Sequence, residues 1–216
     1  MNYAIDIPSV PASLLWDWLA ARSVSRGLPL PVPDGAGMQV DSNTVDELRR
    51  HVFAGPAPDI EALAASIRAP RIPIKMCGPG ERLLAMAPAG WQLQPPAYFM
   101  TQAAPDRADV VLPSAYRLEA TTCGPAVAVA VVAQDGTVAA SGHAAFYGGV
   151  FAFDRIQTDP GHRRRGLGRA LTAALGARQA SSGAARVLVA TEAGRALYGA
   201  LGWTVMSPYS MIVIPG

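Results

Sequence analysis

Apolar and polar positions in the second half of the chain predict a series of short strands. The segments 116–120, 126–133 and 138–147 are each predicted to form a strand, and turn residues separate them. Asp135-Gly136, between the last two segments, predicts a tight hairpin turn. An apolar run at 150–156 predicts the next strand, which ends where a Thr-Asp-Pro-Gly segment interrupts the pattern.

An amphipathic helix with a glycine-rich, cationic first turn is predicted to follow that strand. Three arginines at 163–165 and two glycines precede apolar residues spaced three and four apart, which are Leu167, Ala170, Leu171, Ala174 and Leu175. The first N–H groups of a helix have no internal acceptor and lie at the positive end of the helix dipole. This pattern is typical of a helix start that binds phosphate.

The last forty residues predict one more strand and helix before the chain closes. The short apolar run at 186–190 is expected to lie parallel to the strand at 150–156, because a helix connects the two. Residues 191–201 predict a helix that ends at a glycine, and two strands, 203–207 and 209–214, are predicted to follow it.

The N-terminal half has weaker patterns and no motif that carries chemistry. Residues 12–22 predict a packing helix, and the alternating prolines within 27–37 predict an extended linker. The other predicted elements are a capping-box helix from Thr44 and Glu47 to about His51, a helix from Pro58 to before Pro70, an edge strand at 72–76 marked by Pro73, a helix at 81–86 and an extended segment at 91–100.

A polar segment, Ala103–Asp109, predicts a boundary between two parts of the chain. It divides the sequence into an N-terminal region, 1–105, and a C-terminal domain, 110–216. The chemistry that the sequence indicates lies entirely in the second part.

The composition narrows the class of protein. Half of the 216 residues are hydrophobic and 16% are charged, which is typical of a globular chain. The formal charge of +2 argues against a broad basic surface, so we expect no nucleic-acid partner. The two cysteines form no CxxC pair, no signal peptide is evident, and no apolar run reaches the roughly 18 residues of a membrane span. We therefore expect a cytoplasmic protein without a metal or a membrane partner.

The arginine-glycine segment leaves several interpretations open. A Walker A loop requires GxxxxGK[ST], which is absent, and a dinucleotide GxGxxG would require a small residue where Leu171 stands. A nucleic-acid-binding face would gain support from interleaved aromatic residues, which the segment lacks. A solvated cationic helix start without a ligand is the plainest alternative.

Two blocks of sequence resemble the GNAT superfamily of N-acetyltransferases. The segment Arg163-Arg164-Arg165-Gly166-Leu167-Gly168 fits the family signature [R/Q]xxGxG/A, and Ile156-Gln157-Thr158-Asp159-Pro160 before it resembles the family's strand that ends in a V-x-P-like turn. The second block, 196–203 (ALYGALGW), is similar to the family's LYxxLGF segment. The two blocks occur in the family's order with one strand between them.

This resemblance covers residues 114–216 and implies an α/β (α+β) fold. It implies a mixed, splayed sheet flanked by helices, with an N-terminal mixed α/β extension and with acetyl-CoA in the gap between two parallel strands. The pyrophosphate would bind the N–H groups of residues 164–169, and the backbone of 156–158 would bind the pantetheine arm and polarise the acetyl carbonyl. The implied cofactor-binding residues are Ile156, Gln157, Thr158, Arg163, Arg164, Arg165, Gly166, Leu167, Gly168, Arg169 and Thr191.

The sequence also offers candidate catalytic residues for this reaction. Tyr198 is the candidate general acid that protonates the leaving thiolate, with a ring that only packs under the cofactor as the alternative. Asp154 is the candidate base, because a period of two places it on the strand face of Ile156 and Thr158; a salt bridge to Arg155 or another arginine is the alternative. Weaker candidates for the base are Glu119, His143 and Glu192.

One departure from the family bears on the acceptor. The family's helical pair between its first two strands is missing here, because only residues 121–125 separate them. Residues 1–105 then either supply the acceptor wall or form a degenerate partner domain. The sequence thus predicts an acyltransferase that moves an acetyl group directly to a primary amine of a small molecule, protein or peptide, with a CoA-binding regulatory module as the alternative. It leaves the acceptor and the oligomeric state open.

Overall fold

The strands of the chain join into one continuous mixed sheet. The computed structural model describes residues 10–103, 112–179 and 183–216. Within them the helices α1 to α5 are Ala12–Arg26, Asp59–Ser66, Gly80–Ala85, Leu167–Gly176 and Glu192–Ala200, and a 3-10 turn spans Pro160–His162. The strands β1 to β12 are Val32–Asp34, Gly37–Asp41, Arg49–Phe53, Ile74–Cys77, Gln92–Leu93, Ala97–Gln102, Tyr116–Cys123, Ala126–Ala133, Val138–Tyr147, Val150–Thr158, Ala185–Thr191 and Thr204–Val213.

The two parts of the sequence are interleaved in this sheet. Its strand order is β1-β2-β3-β4-β12-β6-β11-β10-β9-β8-β7, with β5 paired to the end of β12. The pairs β3–β4 and β10–β11 are parallel, and the other pairs in the sheet are antiparallel. The last strand, β12, is bonded on both sides to N-terminal strands, β4 and β6, and β6 also pairs with β11.

Helices cover opposite faces of the sheet around β10. Phe151 and Phe153 pack into one cluster with residues of α4 and α5, including Leu171 and Tyr198. The alternate residues of β10, such as Val150, pack into a second cluster with α1. This alternation is the period of two that a strand imposes, and it places α1 across the sheet from α4 and α5.

Most elements of the C-terminal part were predicted correctly. The strands β7, β8 and β9, the hairpin between β8 and β9, the strand β10, the helix α4, the parallel strand β11 and the helix α5 all occur where the sequence predicted them. The strands β7 and β8 also form a hairpin, which the sequence analysis did not predict. The two closing strands are one strand, β12, with an irregularity between Val205 and Ser207. The boundary predicted at 103–109 lies, after Ala103, outside the described residues.

Four N-terminal predictions need correction. The capping-box residues Thr44 and Glu47 form a hydrogen-bonded turn, in which Thr44 Oγ1 accepts from the Glu47 N–H at 3.1 Å, and the chain then enters β3 instead of a helix. The predicted linker 27–37 contains the edge strand β1, which pairs with β2. Pro73 precedes β4, so that strand lies inside the sheet rather than at an edge. The first helix runs four residues further, to Arg26, where Gly27 ends it at φ 63°.

An ion cluster fixes α1 to the sheet. Arg26 donates two hydrogen bonds to Asp154 on β10, from Nε to Oδ2 at 2.5 Å and from Nη2 to Oδ1 at 2.8 Å. Arg22 Nε lies 3.5 Å from Oδ1, Arg155 Nε lies 3.6 Å from Oδ2, and the Ser25 hydroxyl lies 3.3 Å from Oδ2. Burial alone would raise the pKa of Asp154, but the Arg26 hydrogen bond and the arginine charges outweigh burial and hold the pKa below its ordinary value.

We expect Asp154→Asn to lower the free energy of unfolding by roughly 3 kcal/mol at pH 7, because it leaves Arg22 and Arg26 close together without an anion. Glu119→Gln is the control: its partner Arg117 and Glu119 itself are 57% and 55% exposed, so that ion pair contributes little. Urea denaturation of both variants measures the difference.

The pH dependence of this difference has a defined sign. The folded-state pKa of Asp154 is lowered from 3.8, so the stabilisation is complete above that value and is lost as the pH falls through the folded-state pKa. The gap between wild type and Asp154→Asn should stay constant from neutral pH down to about 5 and narrow below 3.8. Equal stability of the two proteins at pH 7 would contradict the role of Asp154 in fixing α1.

Candidate active site

The site is the opening where the parallel strands β10 and β11 separate. They pair only over three residues, Val150–Ala152 with Ala185–Val187. From Phe153 onward β10 keeps only β9 as a neighbour, and from Leu188 onward β11 keeps only β6. The two facing strand edges enclose a cavity of about 710 Å3.

A β-bulge in β10 changes which side chains face each side of the sheet. Asp154 is opposite His143, but Gln157 is already opposite Ser141, so β10 contains one extra residue there. Arg155 takes up the irregularity at φ 52°. The predicted common face of Asp154, Ile156 and Thr158 is therefore wrong. Asp154 faces α1, whereas Ile156 packs into the cluster of α4.

The first turn of α4 forms one end of the cavity. Arg164 and Gly166 have left-handed φ values of 61° and 78°, which reverse the chain so that the helix begins at Leu167. No side chain of the described residues caps this helix. The intrahelical bonds begin at the N–H of Ala170, so the N–H groups of Leu167 and Gly168 point out of the helix start.

The structure separates the four arginines of this segment. Arg163 lines the cavity together with Gln157, Thr158 and Gly168. Arg165 turns away and donates from Nη1 to the hydroxyl of Tyr116 at 2.7 Å. The exposed Arg164 does not line the cavity, and Arg169 lines a separate cavity of about 290 Å3.

Tyr198 lies on the α4 and α5 side of the cavity and is 7% exposed. Its ring packs edge-on against Trp203, with the ring centroids 5.9 Å apart, and the centroids of Trp203 and Phe153 are 5.2 Å apart. These contacts between aromatic rings fix the position of Tyr198. Burial raises the pKa of Tyr198 to about 12, which keeps the phenol protonated at neutral pH. Thr191 lines the cavity as well, and its hydroxyl accepts from the Gly194 N–H at 3.2 Å and caps α5.

Three further cavity residues were missed by the sequence analysis. Trp18, Arg22 and Arg26 of α1 line the cavity on the face opposite to Tyr198. They are spaced four apart and so share one side of the helix, a signal that was present in the sequence. The cavity therefore passes through the sheet, from the start of α4 on one face to α1 on the other.

The weaker base candidates lie in different surroundings. Glu119 pairs with Arg117 on the outer strand β7, and Glu192 bonds the Tyr98 hydroxyl and Arg195 at the surface. His143 is opposite Asp154 on β9, its Nδ1 is buried without a hydrogen-bond partner in the described chain, and burial lowers its pKa.

Residues 10–103, 112–179 and 183–216 contain no group of three or more His, Cys, Asp or Glu that could hold a metal ion. None of the helices in these ranges combines the length and the hydrophobicity of a membrane-spanning segment.

Known proteins share the fold of this chain, and a family model matches part of its sequence. Residues 125–205 match the family model of the acetyltransferase (GNAT) domain. No curated protein matches the sequence. A GCN5-related N-acetyltransferase from Kribbella flavida is 18% identical, with 96% of each chain covered and a TM-score of 0.67. A protein from Novosphingobium aromaticivorans assigned to the GNAT family is 17% identical, with 100% of each chain covered and a TM-score of 0.59.

A tandem GNAT protein from the clavulanic acid biosynthesis pathway is 12% identical, with 94% of each chain covered and a TM-score of 0.56. At these identities the solved structures show the fold, and they confirm the predicted fold class. Residues 125–205 match an acetyltransferase domain, as the sequence predicted, and they lie within a sheet to which both parts of the described chain contribute strands.

Proposed function

We propose that the protein is an N-acetyltransferase that moves an acetyl group from acetyl-CoA directly to a primary amine. The observation that carries this proposal is the cavity that passes through the sheet where β10 and β11 separate. The start of α4, which is suited to binding phosphate, lies at the end of the cavity on one face of the sheet. The part of the same cavity that α1 lines lies on the other face. One donor and one acceptor can thus approach each other from opposite faces.

The residues at the start of α4 fit the acetyl-CoA that the family implies. The N–H groups of Leu167 and Gly168, with Arg163, would hold the pyrophosphate. A Cβ on Gly168 would lie 3.2 Å from Leu197 Cδ2, so the missing side chain keeps this entrance open. When bound, acetyl-CoA supplies the activated thioester.

The strand edge of β10 offers unpaired backbone groups beside this helix start. Arg155 and Ile156 have no partner in the register of β9, and the segment after Ala152 has none in β11. Amide groups of an extended arm can pair with such an edge, as another strand would. We assign the Ile156 or Thr158 N–H to the acetyl carbonyl, where a donor stabilises developing negative charge.

We assign Tyr198 as the general acid. Its buried phenol keeps its proton because its pKa is raised to about 12, and it faces the cavity from α5. A phenol in that state can donate its proton to a leaving sulfur as charge develops there. The alternative, a ring that only packs, accounts for its contact with Trp203 but leaves its hydroxyl without a role.

The base remains a hypothesis. Asp154 lines the cavity, but its lowered pKa and its contacts with Arg22, Arg26 and Arg155 favour the ion-pair alternative over proton abstraction. We infer that Asp154 acts as a positioning residue, which holds α1 and its arginines at the cavity. The proton of the attacking amine then leaves through water in the open cavity.

Direct transfer is favoured over an acetyl-cysteine intermediate. Cys77 is buried in the N-terminal part of the sheet, and burial raises its pKa to about 12, which disfavours the reactive thiolate. Cys123 ends the outer strand β7 and does not line the cavity. In place of the missing helical pair, α1 supplies the acceptor wall through Trp18, Arg22 and Arg26.

Tyr198→Phe should lower kcat by about 100-fold, because it removes the proton donor. The dissociation constant of acetyl-CoA, measured by calorimetry, should change little, since the ring is retained. Thiol release with a panel of primary amines measures turnover. Tyr147→Phe is the control, because it also deletes a phenol hydroxyl but lies outside the cavity. Turnover of Tyr198→Phe equal to that of Tyr147→Phe would leave Tyr198 with only a packing role.

Gly168→Val should weaken acetyl-CoA binding by at least about tenfold, because the new side chain is forced against Leu197 at the entrance of the cavity. Gly199→Val is the matched control on a helix, since a Cβ at Gly199 meets no atom within 4 Å. Acetyl-CoA should raise the Tm of the wild type and of Gly199→Val but hardly that of Gly168→Val. An equal rise in all three proteins would place acetyl-CoA elsewhere.

A further inference from the structure

The acceptor side of the cavity carries more positive than negative charge. Three guanidinium groups line it there, those of Arg22, Arg26 and Arg155, against the one carboxylate of Asp154. The other carboxylate whose charge acts on Arg22 is that of Glu47, and it already pairs with Lys75 at 2.8 Å and with Arg50. Positively charged side chains therefore outnumber negatively charged ones on this side of the cavity.

The three guanidinium groups differ in how many of their N–H groups donate hydrogen bonds within the protein. Arg26 occupies both oxygens of Asp154, and Arg155 donates from Nη2 to the Ser25 carbonyl at 2.5 Å. Arg22 makes no side-chain hydrogen bond to the described residues; its contacts are Asp154 at 3.5 Å and the Trp18 ring, 5.8 Å from its Cζ. Its guanidinium group therefore has donors left for a ligand in the cavity.

Burial disfavours the charged guanidinium group of Arg22 unless an anion lies beside it. Its side chain is 17% exposed, and burial followed by the charge of Arg26 lowers its pKa, although Asp154 acts in the opposite direction. The Arg22 and Arg26 charges also contribute, after burial, to lowering the pKa of Lys75 to about 8. Cations that disturb one another in this way are stabilised when an anion binds among them.

The phosphates of the donor do not account for this charge. The start of α4 and Arg163 face them from the other side of the sheet, and the bulge at Arg155 separates the two sets of residues. Arg22 and Arg26 come from α1, which contacts the face opposite to α4.

We propose that the amine acceptor carries an anionic group, a carboxylate or a phosphate, that binds to Arg22 with Arg155 beside it. The inference rests on the proposed function and adds the class of acceptor to it. Amino acids and other amines with an acidic group fit the site, whereas polyamines and other polycations are repelled by the same arginines. The planar guanidinium fork suits the two oxygens of such a group.

The test compares matched acceptors in the thiol-release assay. The pairs are glycine with glycinamide, phenylalanine with phenylalaninamide, and 2-aminoethyl phosphate with ethanolamine; spermidine represents the polycations. In at least one pair the anionic member should have a kcat/KM about tenfold or more above its neutral partner. The first two pairs report on a carboxylate and the third on a phosphate. A preference for the neutral members or for spermidine would overturn the proposal.

Substitutions of the arginines test which of them causes the preference for anionic acceptors. Arg22→Gln should reduce kcat/KM for the anionic acceptor about tenfold, to the value of its neutral partner, and leave the KM for acetyl-CoA unchanged. Arg155→Gln, at a more exposed side chain, gives a second test if Arg22→Gln is unstable. Arg178→Gln, on an arginine outside the cavity, is the control and should change neither. A preference that survives in both cavity variants would also overturn the proposal.

A separate binding measurement decides the question if no amine releases thiol. In that case the proposed function fails, but CoA-saturated protein should still bind an N-acetylamino acid more tightly than its carboxamide by calorimetry. Arg22→Gln should remove the difference. Equal binding of the two probes to the wild type would show that the arginines hold no anionic ligand.

Discussion

The separation of β10 from β11 is the constraint on which the rest of the structure depends. Two parallel strands that separate after three residues leave backbone N–H and C=O groups facing a gap, and such groups are costly unless a partner satisfies them. Beyond the point of separation, each strand is held in the sheet by hydrogen bonds to the strand on its other side. For β10 that neighbour is β9, and for β11 it is β6, a strand from the N-terminal part of the chain.

The N-terminal part consequently contributes to the site in two ways. Strand β6 holds β11 in place from within the sheet, and β12 returns between β6 and β4, which ties both parts of the sequence into one set of hydrogen bonds. Helix α1 covers the opposite face of β10 and brings Trp18, Arg22 and Arg26 to the gap. The side of the cavity that α1 covers is therefore lined in part by residues that precede the segment matching the GNAT domain model.

What the sequence predicted well was local, and what it missed depended on tertiary contacts. The glycine-arginine turn, the Asp-Gly hairpin and the Tyr198 segment have short-range signals, and the fold places them as predicted. The Thr44–Glu47 pattern is compatible with a turn as well as with a helix start. The residues that follow form the strand β3 because they pair with β2 and β4 in the sheet. The bulge at Arg155 has no signal in residue type, because its positive φ is imposed by the sheet.

The single extra residue of this bulge determines which side chains of β10 face each side of the sheet. Without it, the period of two along the strand would place Asp154 and Ile156 on the same side of the sheet. With it, β10 presents Asp154 to α1 and, two residues later, Ile156 to α4. For the substrates that we propose, the negative charges of the donor and of the acceptor would be held by separate sets of cations, on opposite faces of one opening in the sheet.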